Sequence, residues 1–169
     1  QYHGGDTEDI KFILKLIKQR NPNEPTAMVG FSLGGNVLLK LFGELKYHNL
    51  CKTGIAISPP FDIEATSEKV HKGINSLYEK VFVKDIKQTL LSKYPQNMLP
   101  DNLHEKLNNI DSLKALDEQF TAPQNGYGSS SEYYKDVSSK YYLHNIQKPT
   151  LIVIAKDDPI INYDNLPPA

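Results

Sequence analysis

Ser32 has a glycine two residues to either side, in Gly30-Phe31-Ser32-Leu33-Gly34. A serine hydroxyl attacks a carbonyl only when a base draws off its proton and an acid orients that base. The G-x-S-x-G spacing suits such a serine, because a sharp strand-to-helix turn lifts Oγ clear of a sheet and needs small neighbours, here Gly30 and Gly34. The same turn aims the N–H of Leu33 at an oxyanion, with the positive end of the following helix behind it. In a 169-residue chain with 10 glycines and 11 serines, chance yields about 0.04 copies of this motif.

In this kind of site the chain order is nucleophile, acid, histidine. The acid is expected in Asp157-Asp158, just after the apolar run Leu151 to Ala155. If the strands carrying Ser32, Ile55 and Ile152 are neighbours, the outer two lie about 10 Å apart, a gap an imidazole bridges. Asp158 is preferred to Asp157, because Pro159 fixes the turn immediately after it. His3, His48, His71, His104 and His144 all precede Asp158, and each reads as a structural or solvated residue. The base is therefore expected beyond Ala169, and the second oxyanion donor, which comes from a loop upstream of the elbow, before Gln1. Gln1 and Ala169 read accordingly as cuts through a longer chain.

The elements that must position these groups are legible in the apolar pattern. Asp6-Thr7-Glu8-Asp9 opens a helix carrying Ile10, Ile13, Leu14 and Ile17 at helical spacing. Residues 26–31, 53–58 and 150–155 are short continuous apolar runs, the pattern of parallel strands covered on both faces. Helical periodicity from Asn36 to Leu45 follows the first run, so the fold class is α/β with a mostly parallel sheet. Between Phe61 and Phe120 the text turns polar and helical, a cap or lid inserted over the sheet. Within it, Ser67 to Tyr94 reads as one helix with Ile74, Leu77, Tyr78, Val81 and Ile86 as its apolar stripe; Asp101 starts a further helix, and Ser112 to Phe120 another.

Composition narrows the function. The chain has 19 basic and 20 acidic residues, a net charge of -1, with no electrostatic footprint for nucleic acid. Arg20 is the single arginine, and Cys51, the single cysteine, excludes an internal disulfide and a cysteine-built zinc site. No apolar run has the roughly 18–20 residues a membrane span needs. The mechanism requires no metal or organic cofactor. The expected compartment is the cytoplasm.

The motifs together resemble the YheT-type branch of the α/β-hydrolase superfamily along essentially the whole chain. Tyr2-His3-x-Gly5-Asp6-Thr7-x-Asp9, Val29 to Lys40, Ala56-Ile57-Ser58-x-Pro60-Phe61-Asp62, Asp117-x-x-Phe120-Thr121-Ala122-Pro123, Tyr133-Tyr134, Ser138-Ser139, Pro149-Thr150-Leu151 and Asp157-Asp158-Pro159 carry the likeness. The resemblance implies a serine hydrolase acting on short-chain esters, acylglycerols or phospholipids, with Ser32 as nucleophile and Asp158 as acid. Two other readings stay open: an acyltransferase using the same elbow, and a binding protein that kept the elbow and lost the histidine. Three strands alone leave an apolar parallel edge open. Expressed by itself, this 169-residue stretch is expected to aggregate or unfold at low urea, and a cooperative transition of ordinary stability would contradict that.

Overall fold

Three parallel strands, β1 (Ala27–Phe31), β2 (Thr53–Ile57) and β3 (Thr150–Val153), lie in the order β1-β2-β3. The register sets Gly30 beside Ala56 and Ala56 beside Ile152. The computed structural model describes residues 3–44, 49–93, 103–163 and Leu166. Helix α1 (Glu8–Arg20) precedes β1, and α2 (Leu33–Gly43) starts directly after it. Between β2 and β3 run α3 (Ile63–His71), α4 (Ser76–Lys93), α5 (Leu103–Asn108), α6 (Leu113–Leu116), the helical turn α7 (Ala122–Gln124) and α8 (Ser130–Val137). A π-helical segment, Asp117–Thr121, joins α6 to α7.

Helix α2 is buried from Gly35 to Gly43. It touches β1 and β2 as well as the turns at residues 139–145. Leu38, Leu39, Leu41 and Phe42 form the main core with Leu14 of α1, Ala56 of β2 and Phe61. Each such side chain, taken from water, contributes about 1.5–3 kcal/mol. Parallel pairing agrees with the apolar runs, but cover on both faces does not hold among the described residues. Val29 and Phe31 of β1 are 56% and 64% exposed, and Leu151 and Val153 of β3 are exposed too. The cause is placement: Leu14 of α1 packs into the same cluster as α2, so one layer serves both helices.

The predicted helix from Ser67 to Tyr94 is two helices. Gly73 at φ +59 breaks the chain between α3 and α4, a left-handed conformation that glycine adopts without strain. The apolar stripe read for it also differs. Ile74 is 79% exposed, and Leu77, Tyr78 and Val81 are exposed as well; α4 instead buries Glu79, Val83 and Leu90. Val83 and Leu90 pack on Leu107, Ile110, Leu116 and Phe120, partners too distant in sequence for periodicity to reveal. Glu79 is held by the backbone N–H of Leu113 at 2.9 Å and by His71 at 2.8 Å. At α1 the N-cap is Thr7, whose hydroxyl donates to Glu44 at 3.0 Å and caps nothing, while Asp6 accepts the Glu8 N–H at 3.1 Å.

A fully buried amide ties distant segments to the start of α2. Asn36 Nδ2 donates to the carbonyls of Gly4 and Val137, both at 2.8 Å, and its Oδ1 accepts the Ser139 N–H at 2.9 Å. Leaving a buried backbone group unpaired costs about 1–3 kcal/mol. In the full-length natural protein, Asn36→Leu is therefore expected to lower unfolding free energy by about 3 kcal/mol or more, read from urea melts.

Candidate active site

The site collects at the carboxyl ends of the three strands, where ligands of open α/β sheets bind. Ser32 stands between β1 and α2 at φ 48, ψ −126, a strained conformation for a residue with a side chain. Packing holds it there. Its N–H donates to the Ile57 carbonyl at 2.9 Å, and its own carbonyl accepts the Gly35 N–H at 2.9 Å. The side chain of Ser32 is exposed, and the Leu33 N–H at the first position of α2 has no hydrogen-bond partner among the described residues. A donor of this kind, aligned with a helix N-terminus, suits a developing oxyanion. Ser58, after β2, is likewise at positive φ (46) and donates its N–H to the Val153 carbonyl at 2.8 Å.

Two glycines make the turn sterically possible. A Cβ on Gly30 would lie 2.5 Å from the Gly34 carbonyl oxygen and 2.8 Å from the Gly35 Cα. Gly35 is also tight, with Gly30 O and Pro59 Cβ both at 3.1 Å, whereas a Cβ on Gly34 would meet nothing within 4 Å. The need for small neighbours thus falls on Gly30 and Gly35, not on Gly34. The reason is that β1 and α2 cross at Gly30 and Gly35, while the Gly34 side position points away from that crossing.

Asp158 is fixed on several sides after β3. Its N–H donates to the Ala155 carbonyl at 3.2 Å, and its Oδ1 accepts the N–H groups of Ile160 (2.8 Å) and Ile161 (2.9 Å). The ammonium of Lys69 in α3 donates to the carbonyls of both Asp158 and Ile161 at 2.7 Å. Among the described residues Oδ2 accepts no hydrogen bond, which leaves it open to an imidazole N–H. Asp157 is exposed and has none of these restraints.

The histidines divide. His3 reaches the wall of the cavity that holds Ser32. Its Nδ1 accepts the Gly5 N–H at 3.3 Å, so the neutral ring carries its proton on Nε2. Burial lowers its pKa, with the nearby Asp6 carboxylate opposing. A neutral ring whose acceptor nitrogen is already engaged cannot take the serine proton. His71 is paired with Glu79 as above, and His144 lies in the turn Leu143–Asn145. His104 lies in α5 with its side chain outside the described residues, as is all of His48.

The cavity measures about 560 Å³, within the range of small-molecule sites. Ser32 and Leu33 line it, and Val70 of α3, Phe82 and Ile86 of α4, and Phe120 are among its apolar walls. Phe82 and Ile86, two of the exposed apolar groups of α4, are exposed to this space. Sequence reasoning passed over Lys69, which carries no local signal, and Asn36, which sits within an otherwise apolar helical pattern.

A family model described as alpha/beta hydrolase fold matches residues 3–168. This chain belongs to the α/β-hydrolase fold family. It is 34% identical to "Putative esterase YheT" of Escherichia coli (strain K12), over 98% of this chain and 49% of that protein. It is 28% identical to "Monoacylglycerol lipase" of Saccharomyces cerevisiae, over 96% of this chain and 38% of the relative. The same identity, over 96% of this chain and 40% of the relative, relates it to "Medium-chain fatty acid ethyl ester synthase/esterase 2" of that yeast. The α/β-hydrolase chain thus spans half or less of the length of these curated relatives. No solved structure matches it. Among the described residues no cluster of His, Cys, Asp or Glu could hold a metal ion, and no helix is long and apolar enough to cross a membrane.

The turn geometry separates two otherwise similar substitutions. Gly30→Ala forces a Cβ into backbone and is expected to cost about 1–3 kcal/mol or more. Gly34→Ala, in an open helical position, is expected to be neutral or stabilising by up to about 1 kcal/mol. Urea unfolding midpoints of the two variants, measured in the full-length natural protein, check this.

Proposed function

We propose that this chain carries the nucleophile and the acid of a serine hydrolase that cleaves carboxylic esters, in the class of short-chain esters and acylglycerol- or phospholipid-like lipids. The observation that carries the reading is Ser32, held at positive φ beside a Leu33 amide with no hydrogen-bond partner among the described residues, in the lining of a largely apolar cavity large enough for an acyl chain. The names of the relatives, an esterase and a monoacylglycerol lipase among them, support the substrate class.

In this mechanism Ser32 Oγ attacks the ester carbonyl while an imidazole oriented by Asp158 takes its proton. The Leu33 N–H holds the tetrahedral oxyanion. Collapse expels the alcohol, which receives that proton, and leaves Ser32 acylated. Water, deprotonated by the same imidazole, then releases the acid. The helices from Phe61 to Phe120 act as a cap that shapes the acyl and alcohol pockets. Transfer of the acyl group to an alcohol instead of water is the second reading, favoured by the relative named as both ester synthase and esterase.

In the full-length natural protein, Ser32→Ala is expected to abolish fluorophosphonate labelling and to reduce p-nitrophenyl ester hydrolysis by at least about 10³-fold; Asp158→Asn should cost about 10²–10⁴-fold. Labelling that survives Ser32→Ala would reject Ser32 as the nucleophile.

A further inference from the structure

Two kinds of restraint hold the loop after β3. The first lies within the loop. Asp158 Oδ1 accepts the N–H groups of Ile160 and Ile161, and the Asp158 N–H bonds the Ala155 carbonyl three residues back. These bonds set the carboxylate against its own turn. The second ties the turn to the rest of the protein. Ile161 packs in the main core. Among the described residues, the hydrogen bonds that join residues 155–161 to another element both come from one side chain, Lys69 of α3.

Lys69 Nζ donates to the carbonyls of Asp158 and Ile161, each at 2.7 Å. It thus grips both ends of the turn whose N–H groups hold the carboxylate. The Asp158 carbonyl belongs to the acid residue itself, so any movement of that backbone is carried to the carboxylate. Lys69 has no ion-pair partner among the described residues, and its ammonium serves this loop. Its helix is anchored in turn. Asp62 caps α3 by accepting the Ala65 N–H at 3.2 Å and pairs with Lys140 at 2.8 Å, and the buried Ser138 Oγ accepts the Ile63 N–H at 3.0 Å. The restraint therefore runs from buried chain at Ser138 through α3 to Asp158.

We infer that Lys69 is a positioning residue for ester cleavage: its ammonium holds the Asp158 loop so that the carboxylate meets the imidazole that activates Ser32. This rests on the reading of Asp158 as the acid and adds a residue to it. Lys69 touches no reacting atom and acts through Asp158. Alignment of the acid matters, because a displacement of about 1 Å in a catalytic group can cost about 10²-fold in rate. A methionine at this position would keep the apolar stem and leave both carbonyls without their donor. Lys69 stands between Ser67 and Val70 of α3, which line the cavity, so a role limited to shaping that wall would appear in KM and not in kcat.

The test uses the full-length natural protein, p-nitrophenyl butyrate and a double-mutant cycle between Lys69 and Asp158. Lys69→Met is expected to lower kcat about tenfold or more, with KM within about threefold of wild type. Lys69→Arg, which keeps a cation with several donors, should hold kcat within about threefold. Asp158→Asn keeps an Oδ1 acceptor for the Ile160 and Ile161 N–H groups but removes the charge that orients the base. In that background Lys69→Met is expected to change kcat by less than about threefold, because the group it positions is already disabled. Lys69→Gln serves as the second neutral variant, should Lys69→Met fail to fold, with the same pattern and a kcat loss of about threefold or more. The inference is overturned if the neutral variant leaves kcat within twofold of wild type, if it costs the same factor in the wild-type and Asp158→Asn backgrounds, if its effect falls on KM alone, or if Lys69→Arg loses as much as the neutral variant. In each of these outcomes Ser32 and Asp158 keep their assigned roles. A wild-type rate in Asp158→Asn itself overturns the assignment of the acid, and this inference with it.

Discussion

The carboxamide of Asn36 sits where three distant pieces of chain meet, one turn after the strained serine. Gly4, Val137 and Ser139 each present a backbone group at that point, and one side chain satisfies all three. An apolar residue would leave those groups orphaned in a dry interior, so burial alone could not have closed this junction. One turn later Lys40 repeats the device, donating to Asp136 at 3.1 Å while Tyr127 donates to the same carboxylate at 2.6 Å. Burial of Asp136 would raise its pKa, yet the Tyr127 and Lys40 contacts hold it below the ordinary carboxylate value. Its contribution is thus present at neutral pH and lost as pH falls through that depressed value. Helix α2 is apolar toward the sheet and polar toward the returning chain, and this second face fixes Gly4 against Leu33 and Tyr133.

Such a junction explains how strain at Ser32 is tolerated. Positive φ in a non-glycine residue persists only when its surroundings over-determine it. Here the Ser32 N–H and carbonyl are both bonded, β1 and α2 cross closely at Gly30 and Gly35, and Asn36 anchors the next turn. The acid loop follows the same logic from another direction, because Lys69 of α3 grips two of its carbonyls. Cap helix and acid loop are therefore tied together beside the cavity, whose lining Ile160 and Ile161 join.

What the sequence makes legible follows from range. Strands β1, β2 and β3 and the elbow motif are local patterns of four to six residues, and they emerge within a residue or two of their expected bounds. The face of α4 is not local. Its buried partners lie near residues 107–120, so an apolar stripe at perfect helical spacing, Ile74 to Val81, turned out to be exposed. Gly73 marks the break between α3 and α4, but a lone glycine within helical text seldom reveals whether it adopts positive φ. The π-helical register at Asp117 leaves no signature in composition. Asn36 and Lys40 carry no local signal of their roles, because Val137 and Asp136, which they bind, are about a hundred residues away. Gly34 shows the opposite limit: a motif position whose glycine answers to no local steric demand.

The division of labour between the layers has a physical basis. Chemistry at the strand ends depends on backbone strain and close helix–strand crossing, which tolerate almost no substitution. Selectivity depends on side chains projecting from helices into a cavity, where one residue can change without moving Ser32 or Asp158. Asp117 of the π-helical segment is part of that lining. Asp117 there accepts the Tyr134 hydroxyl at 2.9 Å, and burial raises its pKa against the Thr121 and Tyr134 hydrogen bonds that favour the charge.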